Sequence, residues 1–246
     1  MQLEICLDDI DGARIADSAG ADRIELCAEL SVGGTTPSLG TVAEVLWNVK
    51  HVGVQVLIRQ RGGDFIYSPY EISAMATDIA AIRSLPNPNN IQIGFVIGAL
   101  TPDNQIDVEA LTPLKIAACD CPLTFHKAFD LTSDLSESLE KLVELGFERV
   151  LTSGGKATAL EGALVLNNLV AQSQGRIAIL AGGGVRSHNL AEIVKASGVT
   201  EIHMTARESV ASKAQQTEAS SLYDSGERLV TSEALIKEAQ AVISTL

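Results

Sequence analysis

Residues 3–27, LEICLDDIDGARIADSAGADRIELC, contain the unit on which the fold depends. Two short runs of alternating aliphatic residues, 3–7 and 22–27, flank a segment of helical period at 9–19, and Gly20 stands where that helix must stop. A strand, a helix and a second strand arranged in this way are typical of a parallel sheet. The first residues of the chain therefore predict a parallel α/β protein.

The same alternation continues to the end of the chain and gives eight pairs. The predicted strands lie at 3–7, 22–27, 54–59, 91–99, 123–127, 149–153, 177–181 and 201–205. The predicted helices lie at 9–19, 39–50, 69–85, 105–118, 134–145, 157–172, 188–197 and 231–245. Ser133 and Ser187 are expected as N-caps, and Gly146 and Gly198 as helix ends. Because no linker divides the chain, we predict a single-domain TIM-type (β/α)8 barrel over residues 1–246, with a doubly wound open sheet as the alternative.

Composition and charge argue against several partners. The formal net charge is -13, so nucleic acid or an anionic membrane surface would be repelled. The N-terminal residues lack the basic and apolar regions of a signal peptide, and no apolar run is long enough to span a bilayer. The four cysteines are too few and too irregularly spaced to staple this chain, so we expect free thiols. The sequence predicts a cytoplasmic protein with neither nucleic-acid nor membrane partners.

One segment, 207–230, breaks the rhythm of strands and helices. It is rich in serine and threonine, too polar for a core helix and long for a loop. In a barrel it would lie over the top face, where active sites are built. It is interpreted either as a lid or partner-ordered segment, or as a polar loop without a fixed conformation.

Polar residues within the predicted strands indicate a site inside the barrel. Strands that are buried on both faces are normally almost entirely apolar. In the first two strands the aliphatic residues share one parity, and Glu4, Cys6, Glu25 and Cys27 share the other, so these four are expected to point inward. The same reasoning places further polar residues inside, namely Gln55, Arg59, Thr124, His126, Thr152, Glu201 and His203.

The inward carboxylates need partners, because an unpaired charge in a dry interior is costly. Arg59 with His126 or His203 is expected to neutralise Glu4 and Glu25. The group is interpreted either as a structural ion-pair network or as a catalytic site at the C-terminal strand ends. In the second interpretation Glu25 or His126 is the general acid or base, and Arg59 and His203 complete the catalytic group.

Glycines at the strand ends predict an anion site. The stretch Ala181-Gly182-Gly183-Gly184-Val185 follows the seventh predicted strand, where many barrels hold phosphate on backbone amides. The alternative is a tight turn that needs positive φ. Arg61 lies in the loop after the third predicted strand, and it is expected either to bind the same anion or to hold its own loop in place through Asp64. The predicted anion-binding residues are Arg61, Gly182, Gly183, Gly184 and Thr205.

These motifs resemble those of the CutC copper homeostasis family over nearly the whole chain. The likeness rests on LEIC at 3–6, GADRIELC at 20–27, GGTTPS at 33–38, RGGDF at 61–65, TFHKAFD at 124–130, VLTSG at 150–154 and AGGGV at 181–185. The resemblance implies a cytoplasmic barrel that binds Cu(I) through Cys6 and Cys27 and forms a homodimer or higher homo-oligomer. Cys119 and Cys121 precede the fifth strand, at the opposite end of the barrel, and are interpreted as structural. Ile66 stands where some relatives have a further cysteine.

Two functions of different classes remain open. The first is copper handling, with the barrel as a scaffold for the two thiols. The second is a lyase- or isomerase-like enzyme that acts on a small phosphorylated or carboxylated metabolite, because a copper carrier has no need of an anion pocket. Thr152 stands where a Schiff-base aldolase would place a lysine, which argues against that chemistry.

Overall fold

Eight parallel strands pair in chain order, and β8 pairs back to β1, so the sheet closes into a barrel. The computed structural model describes residues 1–215, 217–218, 220 and 224–246. The barrel strands are β1 Gln2–Leu7, β2 Arg23–Leu26, β3 Gly53–Leu57, β4 Ile93–Ile97, β5 Leu123–Phe125, β6 Arg149–Thr152, β7 Ala178–Ala181 and β8 Glu201–Met204. The predicted (β/α)8 barrel is confirmed, and the open sheet is excluded.

A helix follows each barrel strand. The helices are α1 Ile10–Ser18, α2 Leu39–Asn48, α3 Pro69–Arg83, α4 Val108–Ala118, α5 Leu135–Glu144, α6 Ala163–Ser173, α7 Ser187–Ser197 and α8 Glu233–Ile243. Gly198 ends α7 in the left-handed conformation, as predicted. The two predicted N-caps are wrong, because Asp134 caps α5 through its carboxylate and Arg186 precedes α7. No helix in the described ranges is both long and apolar enough to cross a membrane.

The ends of the polar segment 207–230 form an antiparallel hairpin. Its strands are β9 Arg207–Ala211 and β10 Glu227–Thr231. At the base of the hairpin, Thr231 Oγ1 donates to Asp9 Oδ2 at 3.3 Å, beside the start of α1. The hairpin and α1 line one groove, so the described part of the segment lies along the flank of that helix. Positions 216, 219 and 221–223, which fall within the predicted lid or loop, lie outside the described residues.

Residue types alternate along the first strands because successive side chains enter two different layers. Leu3, Ile5 and Ile24 belong to the apolar core between the sheet and the helices. Inside the barrel, a separate small cluster joins Cys6, Cys27, Leu57 and Val96. The inward parity predicted for β1 and β2 is therefore confirmed.

The parity predicted for β6 is wrong. Val150 belongs to the outer core, so its neighbours in the strand, Arg149 and Leu151, face the interior. Thr152 points away from the interior and donates to Asp130 Oδ1 at 2.5 Å. The sequence predicts an inward direction for Thr152 because the residue is polar, but Asp130 accepts a hydrogen bond from its hydroxyl outside the barrel.

Candidate functional site

A layer of salt bridges fills the barrel near the N-terminal ends of its strands. Arg23 donates from Nε to Glu4 Oε2 at 2.9 Å and from Nη2 to Glu201 Oε2 at 2.5 Å. Arg149 Nε donates to the same Glu201 oxygen at 3.2 Å. Neither arginine was among the residues predicted to point inward, although Arg23 has the same parity as Glu25 in a buried strand. Arg23, together with His203, pairs with Glu4, so the expectation that Arg59 neutralises it is wrong.

Above this layer two thiols lie side by side. Cys6 and Glu25 are register partners on β1 and β2, and Cys27 follows directly after β2. The Sγ atoms of Cys6 and Cys27 are 3.9 Å apart, and Cys27 Sγ lies 3.6 Å from Glu25 Oε2. Ligand atoms of these three buried residues all fall within 4.8 Å of one another. The two predicted metal ligands are thus brought together with a carboxylate as a third donor.

His203 connects the thiols to the carboxylates. Its Nδ1 lies 2.8 Å from Glu4 Oε1, and its Nε2 lies 3.8 Å from Glu25 Oε2. Burial opposes a charge on His203, but hydrogen bonds with Cys6 and Glu4 and the charge of Glu25 hold its pKa well above the ordinary value. For Glu4, burial acts to raise the pKa, yet the hydrogen bond with His203 and the charge of Arg23 lower it to about 2. An imidazolium and a carboxylate therefore face each other beside the thiols.

The two thiols differ in their affinity for a proton. The hydrogen bond from Cys27 lowers the pKa of Cys6 to about 5, with a further contribution from His203, although burial acts against the charge. The hydrogen bond with Cys6, and then burial, raise the pKa of Cys27 well above the ordinary thiol value. Burial and the charge of Cys6 also raise the pKa of Glu25. The structure thus favours one thiolate, on Cys6, stabilised by a neighbouring thiol and an imidazolium.

Arg59 lies two residues after the end of β3, and His126 follows directly after β5. The guanidinium of Arg59 and the ring of His126 both pack on the ring of Phe65. Arg59 Cζ lies 4.8 Å, and the centroid of the His126 ring 4.7 Å, from the centroid of the Phe65 ring. His126 Nδ1 accepts from the backbone N of Ala128 at 3.2 Å, and among the described residues its Nε2 has no hydrogen-bond partner. Burial, and then the charge of Arg59, lower the pKa of His126 to about 3. Of the predicted catalytic group, Glu25 and His203 adjoin each other, whereas Arg59 and His126 form a separate pair.

The predicted anion-binding residues lie on three different elements of the barrel, after β3, β7 and β8. Arg61 is held in its own loop, with Nε 2.7 Å from Glu71 Oε1 and Nη2 3.1 Å from Asp64 Oδ1. Gly182 packs beside the ring of His203, and Thr205 follows directly after β8.

A lysine lies beside the middle glycine of the stretch 182–184. Lys127 Nζ is 3.5 Å from the position that a Cβ on Gly183 would occupy. The same ammonium lies 2.6 Å from Asp130 Oδ2 and 2.7 Å from Ser153 Oγ. Strand parity does not predict the direction of Lys127, because β5 ends at Phe125, two residues before it. Lys127 therefore places an ammonium beside Gly183, and it was not among the predicted anion-binding residues.

Comparison with known proteins agrees with the motifs. The CutC family model matches residues 1–208. The copper homeostasis protein cutC homolog of Homo sapiens is 46% identical over 205 residues, which cover 83% of this chain and 73% of the human protein. A CutC family protein of Bacteroides thetaiotaomicron is 39% identical over 245 residues, covering 100% of this chain and 96% of its own. The CutC crystal structure from Streptococcus agalactiae superposes with a TM-score of 0.77 at 36% identity, covering 82% of this chain and 97% of that one. The chain therefore belongs to the CutC family.

Proposed function

We propose that this protein handles copper by binding Cu(I) as its cargo through Cys6 and Cys27. The observation that carries the proposal is the pair of buried sulfur atoms 3.9 Å apart, one of them with a pKa lowered to about 5. Thiolates are soft ligands that prefer Cu(I), and a thiol that is already deprotonated binds a metal without first releasing a proton. The family's copper homeostasis name supports the same cargo.

The geometry of the thiols fits a bridging metal ion. Two metal–sulfur bonds of about 2.3 Å each, as for thiolate ligands of zinc, are long enough to span their separation. Glu25 supplies a third donor, with its Oε2 3.6 Å from Cys27 Sγ. His203 and Glu4 hold compensating charges beside the sulfur atoms, which allows a thiolate to persist in a buried position.

The test is an anaerobic titration with Cu(I) against a coloured competing chelator. The double variant C6S/C27S is expected to lose the tight site, while the matched double variant C119S/C121S keeps it, because Cys119 and Cys121 precede β5 at the other end of the barrel. Unchanged affinity in C6S/C27S would show that these thiols are not the copper ligands.

A second candidate function is an enzyme acting on a small anionic metabolite. The observation that favours it is the ammonium of Lys127 beside Gly183, at the end of the strand where many barrels bind phosphate. In that function Glu25, Arg59, His126 and His203 are the proposed catalytic residues, and Gly182, Gly183, Gly184, Thr205 and Arg61 remain the predicted anion-binding residues. Chemical-shift changes at the amides of Gly183 and Gly184 on addition of inorganic phosphate would support this function. An unchanged spectrum up to millimolar phosphate would count against it.

We further propose that the protein works in the cytoplasm as a homodimer or higher homo-oligomer. The cytoplasmic assignment is supported by the thiol chemistry, because a reducing compartment keeps Cys6 and Cys27 available to a metal. Light scattering at micromolar concentration tests the assembly, and a monomeric mass would contradict it.

A further inference from the structure

A loop encloses the thiol pair. Residues 28–35, called here the covering loop, leave the barrel directly after Cys27. At its two ends, Ala28 N donates to Thr35 O at 2.9 Å and Thr35 N donates to Ala28 O at 2.8 Å. This pair of hydrogen bonds fixes the two ends of the covering loop, and residues 29–34 between them are called its tip.

The tip of the covering loop packs against the cluster that contains the two thiols. Leu30 packs against the cluster that contains Cys6 and Cys27. A Cβ on Gly34 would lie 3.5 Å from Cys27 Sγ and 2.7 Å from Leu57 Cδ2, so the backbone itself forms the cover at this point. Cys6 is 5% exposed and Cys27 is 1% exposed. A metal ion or other reagent therefore needs the enclosing shell to move before it reaches sulfur.

One buried guanidinium fastens the tip. Arg59 Nη1 donates to Val32 O at 3.0 Å and to Gly34 O at 2.9 Å, both in the covering loop. Its Nη2 donates to Gly63 O of the neighbouring loop at 2.9 Å. A charged donor makes stronger hydrogen bonds to carbonyl oxygens than a neutral one does. Arg59 thus ties the tip of the covering loop to the body of the protein.

The remaining attachments of the tip are weaker. Asp8 Oδ2 accepts from Leu30 N at 3.4 Å, which is a long hydrogen bond. Val32 is half exposed and rests on Gly62, where a Cβ would lie 3.1 Å from that of Val32. The tip also contains the left-handed residues Glu29, Gly33 and Gly34. A segment with few buried apolar contacts opens locally at low cost once its main hydrogen bonds are lost.

We propose that the covering loop is a gate to the thiol pair and that Arg59 is its latch. Arg59 is then a positioning residue, since it acts on access to the sulfur atoms through the loop and donates to backbone carbonyls. The proposal of a gate depends on the proposed function only for the identity of the ligand that reaches the thiols. Access to the thiols can be measured without any metal.

The first experiment measures alkylation of each cysteine by iodoacetamide, with mass spectrometry to separate the sites. Cys119 is exposed and serves as the internal reference. The variant R59Q is expected to speed alkylation of Cys6 and Cys27 at least about tenfold relative to Cys119, because it removes charge-assisted bonds that hold the loop. The matched control R83Q also removes a guanidinium that donates to a carbonyl, that of Ala117, and should leave the ratio unchanged.

A second variant tests the gate in the opposite direction. In V32C/G62C the Cβ atom introduced at position 62 would lie 3.1 Å from the Cβ of residue 32, slightly closer than in an ordinary disulfide, so the bond can form after a small outward shift. With this bond formed, alkylation of Cys6 and Cys27 should fall at least about tenfold below that of the reduced variant, since the opening that exposes them is blocked. Cleavage of the bond by a phosphine should restore the rate.

The two variants keep the proposal falsifiable even if R59Q unfolds, because V32C/G62C retains Arg59. Equal alkylation of Cys6 and Cys27 in the locked and reduced forms would overturn the gate. An R59Q variant that is folded by circular dichroism but alkylated at the wild-type rate would overturn the role of Arg59. A gate that behaves as expected in a protein that does not bind Cu(I) would leave the gate standing and reject the copper proposal alone.

Discussion

Arg23 and Glu4 form a salt bridge of 2.9 Å inside the barrel, with side chains only 6% and 1% exposed. The same guanidinium reaches Glu201, which also accepts from Arg149, so two arginines face two carboxylates in one layer. Opposite charges in equal number can be held in a low-dielectric interior, whereas any one of them alone would be expensive. The layer closes the barrel below the thiols and supplies Glu4, which in turn orients His203.

The substitution Arg23→Met should lower the free energy of unfolding by about 3–5 kcal/mol, because it leaves Glu4 and Glu201 as buried charges without their main partner. Urea denaturation at neutral pH measures the loss. The control Arg176→Met breaks an exposed pair with Glu140 and should cost much less. Equal stability of R23M and wild type would mean that the layer contributes no net stabilisation through Arg23.

Acid should weaken the fold partly through His126. Its pKa is lowered from 6.5 to about 3 in the folded protein, so between these values the unfolded chain binds a proton that the folded chain does not. Stability from this group is therefore complete above pH 6.5 and is lost as the pH falls towards 3, at up to about 1.4 kcal/mol for each pH unit.

The variant His126→Asn keeps an acceptor near the Nδ1 position but does not titrate in this range. Its stability should fall less steeply than that of the wild type from pH 6.5 downward, as followed by chemical denaturation at several pH values. His188 is exposed, and the control His188→Asn should run parallel to the wild type. Parallel curves for H126N and the wild type would show that the pKa of His126 is not lowered in the folded protein.

The substitution Gly183→Ala should destabilise the protein by about 2–4 kcal/mol. Gly183 has φ +108, and its new Cβ would lie 3.2 Å from Ser153 Cβ and 3.5 Å from Lys127 Nζ. Gly175→Ala is the matched control, because φ there is +75 but a Cβ would meet nothing within 4 Å. Thermal unfolding should show the larger loss for G183A. If both variants lose the same stability, the contact with Ser153 and Lys127 adds nothing to the backbone strain.

Replacement of His203 by Gln should raise the pKa of Cys6 from about 5 by at least about one pH unit, since a hydrogen-bonded cation that favours the thiolate is lost. The pH profile of Cys6 alkylation gives the midpoint directly. His188→Gln removes an exposed histidine and should leave the profile in place. A midpoint that stays near pH 5 in H203Q would mean that His203 does not contribute to the lowered pKa of Cys6 and that the hydrogen bond with Cys27 accounts for it.

The repeated strand and helix pattern carried most of the information about the fold. All eight barrel strands and all eight helices following them lie where the alternation of residues 3–27 and its repeats indicated. Parity worked in β1 and β2 because both faces of those strands have a consistent character, aliphatic outside and polar or thiol inside. It failed in β6, where Asp130, distant in sequence, satisfies Thr152 outside the barrel.

The sequence predicted most of the residues of the candidate site, but not which of them form salt bridges and hydrogen bonds with one another. Cys6, Cys27 and Glu25 followed from parity, and the structure brings them together. The partner of Glu4 could not be chosen from sequence, because Arg23 and Arg59 both stand in or beside buried strands and only the register between β1 and β2 decides between them. The position of Lys127 beside Gly183 likewise depends on a turn after β5 that strand periodicity does not describe.

The last helix has a consequence for how the family's boundary is understood. The family match ends at residue 208, yet α8 contacts both α7 and α1, and its Ile236 and Ala239 are fully buried. A chain shortened to the matched region would leave the flanks of α1 and α7 as bare apolar surface, which invites aggregation. The region that the family model matches is therefore smaller than the unit that folds, and in this protein α8, which packs between α7 and α1, lies outside that region.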